Sequence, residues 1–380
     1  MALLNRQDGP IALYGATGYT GRLVAAELVA AQADFVLSGR NQGKLDALAE
    51  ELEGKPAVQA AALDDQVALR SLLSDCAAVI DCAGPFIRHG EPVLRAAIET
   101  GTHYLDTTGE QAYMRIAFER YGPEAEAAEV AVIPAMGFDY LPGDMIASLT
   151  ARDMGELDEI ALSYAWRGFQ PSHGTARSAL EVLSGEVVEW KNLKWQPASG
   201  SFSRGSFEFP EPIGRQRMIR YPSGEQITVP RHIATRNVRT TMNAAAFALP
   251  KMAAGVQLLG RPVGLALRTP LKRLLDAAIS RLPEGPSPEE RASMRFLIGC
   301  EGARGEERSR GVISGRDVYG LTAASVTKGA LITAGRGFSG VGALAPSQAF
   351  DPEDFLGALD EFDLRWQVER AREPVGAASS

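Results

Sequence analysis

From Ile11 onward, short apolar runs alternate with stretches whose apolar residues recur every three to four positions. The runs Ile11–Tyr14, Phe35–Ser38, Ala57–Leu63, Ala77–Asp81, Tyr104–Asp106 and Val130–Pro134 predict six strands. Between them, Lys44–Leu52 sets Leu45, Leu48 and Leu52 on one helical face ahead of the stop residue Gly54, and Glu91–Thr100 ends at Gly101. Short strands separated by helices predict an α/β fold: a Rossmann-type doubly wound parallel sheet with right-handed crossovers over residues 1–137.

The rhythm changes after Gly137, where a second, α+β domain for substrate binding or dimerisation is expected over 138–345. Leu157–Trp166 reads as a strand and Ala176–Leu183 as a helix. Arg215–Tyr221, Gln226–Val229 and Asn237–Thr241 read as β segments, and 252–282 as helical with interruptions at Pro262 and Pro270. Phe296–Ile313, punctuated by Gly299, Gly302 and Gly305, reads as a hairpin, and Ala323–Ala334 as a helix. Phe355, Leu356, Leu359, Phe362 and Trp366 fall at helical spacing, so 346–372 is expected to form a C-terminal helix packing back on the first domain. Residues 373–380 read as a tail.

The chemistry concentrates where the first strand ends. Gly15-Ala16-Thr17-Gly18-Tyr19-Thr20-Gly21 follows an apolar run and opens an amphipathic stretch, the setting in which a glycine-rich loop binds a dinucleotide pyrophosphate. Gly15 would make the tight turn, Gly18 would admit the phosphates, and Gly21 would let helix and sheet approach. A dinucleotide lacking the 2′-phosphate usually meets an acid at the second strand's tip. Here Ser38, Arg40, Asn41 and Lys44 occupy it, and a guanidinium there suits the 2′-phosphate of NADP(H). Asp64, ending the third strand, is expected either near the adenine or as the next helix cap. Cys82-Ala83-Gly84-Pro85-Phe86 ends the fourth strand beside the point where strand order reverses, and is expected to wall the nicotinamide half.

Composition narrows the classes. The 380 residues carry a net charge of −8, with 45% hydrophobic and 23% charged residues, which disfavours a nucleic-acid partner. The first residues lack a signal-peptide layout and no run is long enough for a transmembrane segment, so a cytoplasmic protein is expected. Cys76, Cys82 and Cys300, with four scattered histidines, lack metal-ligand spacing, so no metal is expected. None of the nine tyrosines has a lysine four positions later, which excludes the short-chain dehydrogenase acid.

Three blocks carry a family signature: Gly84-Pro-Phe-Ile-Arg-His-Gly-Glu-Pro-Val93, Gly101-Thr-His-Tyr-Leu-Asp-Thr-Thr-Gly-Glu110 and Gly137-Phe-Asp-Tyr-Leu-Pro-Gly-Asp144. With Gly174-Thr-Ala-Arg-Ser178 and Val318-Tyr-Gly-Leu-Thr-Ala323, they resemble the saccharopine dehydrogenase-like oxidoreductases, in particular the trans-acting enoyl reductase branch. The resemblance is dense to about residue 180. It implies an NADP-binding domain, a second domain, and hydride transfer between them. Tyr140 stands where that family has serine, and His173 where it has glycine.

A reduction of C=C, C=O or C=N also needs a proton. The candidates are Tyr140, His173 and Asp139, with Tyr140 and His173 placed ahead. The seven arginines at 204, 215, 217, 220, 231, 236 and 239 face only three acids in that stretch and are expected mostly on a solvated sheet. The apolar stretch 252–267 is expected as a buried helix, a pocket lining or a peripheral membrane contact, and a homodimer is a further expectation. The expected function is an NADP(H)-dependent oxidoreductase acting on an enoyl, imine or keto group of a small or lipidic metabolite. The alternative is a non-catalytic NADP-binding redox sensor or scaffold.

Overall fold

The protein is described by a computed structural model covering residues 9–199, 203–211, 213–243, 277–281 and 283–372. The first sheet contains β1 (Ile11–Tyr14), β2 (Phe35–Gly39), β3 (Ala57–Ala60), β4 (Ala78–Asp81), β5 (His103–Asp106) and β6 (Ala131–Ile133). The second part supplies β7 (Glu159–Arg167), the hairpin β8 (Val188–Lys191) and β9 (Lys194–Pro197), then β10 (Ser203–Glu208), β11 (Arg215–Arg220) and β12 (Val238–Asn243). The chain ends with β13 (Arg295–Arg304), β14 (Glu307–Arg316), β15 (Gly342–Ala343) and β16 (Arg365–Arg372).

The first sheet runs β15-β6-β5-β4-β1-β2-β3, every pair parallel. Order reverses between β1 and β4, which places the ligand crevice beyond Tyr14 and Asp81. Buried Leu13, Leu37 and Ile80 face the helices Tyr19–Ala30 and Gln42–Glu51, through Val24, Leu28, Leu45 and Leu48. Ala12, Tyr14 and Val79 pack on the other side with Leu69, Leu73, Val93 and Leu94. Strands buried on both faces are what a helix-covered parallel sheet requires.

The second sheet is mixed, ordered β10-β11-β12-β7-β13-β14-β16, with β12 and β7 its one parallel pair among the described residues. The helix Leu141–Ala151 packs on it closely: an added Cβ on Gly311 of β14 would lie 2.1 Å from the Thr150 hydroxyl. At the same helix, His232 binds the Asp144 carboxylate at 2.8 Å, with Ser347 donating its backbone N–H from the far side. Burial opposes the charge on Asp144, but His232 and these hydrogen bonds hold its pKa below the usual carboxylate value.

Four expectations are corrected. Gln226–Val229 is not a strand but lies within the helix Glu225–His232. Its β-like run is overridden by tertiary contacts: Gln226 donates to the Val238 carbonyl and accepts from Trp190 N–H, while Ile227 and Val229 are buried. The segment 346–372 is not one helix. It breaks into Pro346–Ala349, Pro352–Gly357 and a single turn at Asp360–Phe362, then turns at Asp363 with φ +53°. Arg365–Arg372 then pairs with the free edge of β14, so this segment adds a strand to the second sheet instead of packing back as a helix.

The chain also returns to the first sheet before residue 345. Gly342 and Ala343 pair with β6, and the helix Val318–Ala334 packs on the first sheet, where Gly329 lies against Met136 and Leu105. The third strand stops at Ala60, and the next helix is capped by Asp65, whose side chain accepts from Ala68 N–H, not by Asp64. The apolar stretch 252–267 lies outside the described residues.

Candidate functional site

The glycine loop has the geometry its spacing predicts. Gly15 has φ +77°, and an added Cβ would meet Ala83 N at 2.9 Å. At Gly21 a Cβ would lie 2.3 Å from the Gly15 carbonyl oxygen, so only glycine lets this helix start so close to the turn. Gly18 is different: its Cβ would meet just one atom, Gly15 O at 3.4 Å, which leaves its face open. Gly18 is the N-cap of Tyr19–Ala30 and no side chain caps that helix, so its first N–H groups are left for an anion. A cradle closed behind and open in front fits a pyrophosphate.

The rest of the loop is held from behind. Ala16 donates its N–H to Ser38 O at 3.1 Å, and Thr17 and Thr20 are half-buried beside it. The Tyr19 side chain turns away from the loop: its hydroxyl donates to Pro286 O at 2.6 Å and its ring meets Tyr319 edge-on. Only the Tyr19 backbone is left to serve an anion.

At the second strand's tip the predicted residues separate. Ser38 is fully buried and its hydroxyl donates to Gln59 O at 2.7 Å, so it ties β2 to β3. The Asn41 side chain accepts from Lys44 N–H, capping the helix Gln42–Glu51. Arg40 is exposed and forms no ion pair among the described residues. Its charge reaches inward all the same: with burial and Arg88 it depresses the pKa of His89. Lys44 and Asp64 are exposed around it.

At the end of β4, Asp81 accepts from Ala83 N–H at 2.9 Å and from the Tyr104 hydroxyl. Asp81 pairs in register with Asp106 of β5, and burial pushes their carboxyls up to about 8 and about 7. Burial also raises the Cys82 thiol, so it is no nucleophile. Gly84 and Pro85, joined by a cis peptide, lead into a helix whose first amides, Phe86 and Ile87, bind the Glu110 carboxylate at 2.9 and 3.0 Å. The Phe86 ring is buried against Tyr113, with its edge 3.5 Å from where a Cβ on Gly84 would sit.

The blocks 84–93, 101–110 and 137–144 meet here. The Tyr140 hydroxyl donates to Gly109 O at 2.7 Å, and an added Cβ on Gly109 would lie 3.2 Å from Asp139 Oδ2. Tyr140 is buried and hydrogen-bonded to Tyr221, so its proton is committed. Asp139 is half-buried, and its carboxyl accepts no hydrogen bond among the described residues; loss of water pushes it up to about 6. His173 begins the helix His173–Ser184, with its N–H on Glu284 O. Ser178 of that helix faces Glu110, and five residues at about 100° each turn His173 roughly 140° away. Sequence reasoning missed Glu110 and Ser178 as partners, although both stand in the quoted blocks.

An aromatic wall borders this corner. Tyr140 and Tyr221 lie 6.2 Å apart, Tyr221 and Trp166 5.9 Å, Trp166 and Phe169 5.9 Å, and Phe169 stacks on Tyr319 at 6.3 Å. Several arginines of 215–239 are engaged elsewhere. Arg215 binds Ser206, Arg239 pairs with Glu159, and Arg231 stacks over Phe118 at 4.0 Å. Among the described residues, no group of acids, histidines or cysteines could hold a metal, and no helix is long and apolar enough to cross a membrane.

Residues 11–133 match the sequence profile of the saccharopine dehydrogenase NADP binding domain. A Mycobacterium tuberculosis protein named as a candidate trans-acting enoyl reductase is 36% identical over 185 residues, 46% of this chain and 44% of its own length. A saccharopine dehydrogenase-like oxidoreductase of Bos taurus is 27% identical over 192 residues, 45% of either chain. A lipid droplet localized protein of Caenorhabditis elegans is 27% identical over 202 residues, covering 49% of this chain and 47% of that one. These matches span less than half of each relative. The apo saccharopine dehydrogenase (L-Glu forming) of Saccharomyces cerevisiae shares the fold across 96% of this chain and 100% of its own, with TM-score 0.57 at 15% identity. Residues 11–133 are a saccharopine dehydrogenase-type NADP binding domain, and through it the chain is related to the saccharopine dehydrogenase-like oxidoreductases.

Proposed function

We propose that the chain is an NADPH-dependent reductase of an enoyl, imine or keto group on an uncharged, largely apolar metabolite, with Asp139 as proton donor. NADPH, when bound, supplies the hydride. The Tyr19–Gly21 amides would hold its pyrophosphate, Arg40 its 2′-phosphate, and Gly84 and Pro85 would border its nicotinamide.

One observation carries the reading. Asp139 is a carboxyl with no hydrogen-bond partner among the described residues, raised to about 6 and set at the join of the two sheets beside Gly109. A carboxylic acid tuned toward neutrality is suited to giving up a proton as hydride arrives. Tyr140 holds the Gly109 carbonyl beside it, which makes Tyr140 a positioning residue. The substrate class rests on the walls. Tyr221, Trp166 and Phe169 offer ring faces, and among the described residues no arginine or lysine stacks on any of the three. A carboxylate-rich substrate would lie there unpaired, at a cost of several kcal/mol.

The test is NADPH oxidation against matched panels of apolar enoyl thioesters, imines and 2-oxo acids. Turnover of an uncharged substrate, lost in Asp139→Asn with NADPH affinity kept, supports the proposal. Turnover of dicarboxylates alone, or an Asp139→Asn variant as active as wild type, overturns it.

A further inference from the structure

The start of the helix Phe86–Thr100 is fastened to the second part of the chain by buried polar contacts. Glu110 is 2% exposed and its carboxylate takes three donors: Phe86 N–H and the Ser178 hydroxyl on Oε1, at 2.9 and 2.7 Å, and Ile87 N–H on Oε2 at 3.0 Å. Among the described residues no cation shares the carboxylate. Burial raises its pKa while those three hydrogen bonds pull it down. Three residues beyond Ser178, Glu181 lies on the same helical face and pairs with Arg88 at 2.5 Å. The Ser178 hydroxyl also lies 3.7 Å from where a Cβ on Gly84 would sit, directly against the expected nicotinamide wall.

We infer that Ser178 and Glu110 form a latch that sets the Gly84–Ile87 wall relative to the helix His173–Ser184, making both positioning residues for hydride transfer. The inference rests on the function proposed above. Its logic is geometric. Glu110 fixes two consecutive amides, so the wall cannot shift without breaking charge-assisted hydrogen bonds. Among the described residues, the same carboxylate is anchored by the second part only through Ser178. The helix bearing Ser178 also bears, at its other end, the amide that holds Glu284 and the cap that binds Tyr319. Loosening Ser178 therefore releases the nicotinamide end while leaving the Gly15–Gly21 cradle as it is. Hydride transfer demands reacting atoms about 3–3.5 Å apart, and a 1 Å displacement costs on the order of 100-fold in rate.

The experiment compares wild type, Ser178→Ala and Ser178→Thr by titration with NADPH, reading affinity and the emission of the bound nicotinamide, and then kcat on the best substrate. The expected result is affinity within about threefold of wild type in both variants, altered nicotinamide emission and roughly tenfold lower kcat in Ser178→Ala, and recovery in Ser178→Thr, which keeps the hydroxyl. A merely structural serine would move thermal stability and affinity together and spare the emission. Unchanged emission and kcat in Ser178→Ala overturns the latch alone. Absence of NADPH binding in the wild type overturns both the latch and the function beneath it.

Discussion

The Gly15–Gly21 loop and the Gly109–Tyr140 corner border the same crevice but are built by opposite means. The loop is shaped by main chain: side chains are absent at 15, 18 and 21, and no side chain caps the helix that follows. The corner works through side chains taken out of water, with Glu110, Asp139 and Tyr140 drawn from separate strands and helices. A main-chain site tolerates no added atom. A side-chain site tolerates shape-preserving changes but not changes of proton inventory.

The largest effect is expected at Gly21. Gly21→Ala places a methyl where 2.3 Å separates it from Gly15 O, so the helix must move. Overpacking of this kind costs about 1–3 kcal/mol, and NADPH affinity should fall by at least 100-fold with a clear drop in melting temperature. Gly18→Ala, with its Cβ 3.4 Å from the nearest atom, should keep stability and lose affinity alone. If both variants behave alike, the division of labour within the loop is wrong.

Next comes Asp139→Asn. Removing a positioned acid costs roughly 100- to 10,000-fold in kcat. In wild type, the rate of reduction should fall as pH rises through about 6, because the proton is lost there, and that limb should vanish in the variant. The stability sign runs the same way. The folded-state pKa lies above the unfolded one, so Asp139 weakens the fold progressively as pH climbs from about 4 to 6. Asp139→Asn should accordingly be no less stable than wild type at pH 7 by thermal melting.

Smallest is Tyr140→Phe, which frees Gly109 O from a 2.7 Å hydrogen bond. A loss of about 1 kcal/mol in unfolding free energy is expected, with a kcat reduction of a few-fold and unchanged NADPH affinity. A fall in kcat as large as that of Asp139→Asn would make Tyr140 the proton donor instead.

The same contrast explains what could be read from sequence. All six strands of the nucleotide-binding sheet were legible, as was the loop, because apolar periodicity and glycine spacing are local signals. The seventh strand, Gly342–Ala343, was not, since two residues carry no period. The helix Glu225–His232 was misread because Ile227 and Val229 look β-like and only the contacts of Gln226 decide otherwise. Arg365–Arg372 was hidden by Trp366 falling in helical phase with Phe362, while the pairing edge that claims it lies some fifty residues upstream in β14. At the site, Ser38 and Asn41 were plausible phosphate donors by position; the Ser38 hydroxyl is spent on Gln59 O, while Asn41 commits only its amide oxygen, to the helix cap. Glu110 and Ser178 were visible as letters in motifs. Their partnership across 68 positions was not.

The account turns on phosphorylated dinucleotide lying across the glycine loop with Arg40 at its 2′-phosphate. Fluorescence titration of wild type and Arg40→Asp with NADPH and NADH tests this most directly. The account predicts that wild type prefers NADPH by tenfold or more, and that Arg40→Asp loses most of that preference while keeping its fold, since a charge-assisted contact contributes about 1.5–3 kcal/mol. Equal affinity of wild type for the two nucleotides, or an Arg40→Asp variant with undiminished preference for NADPH, would contradict it.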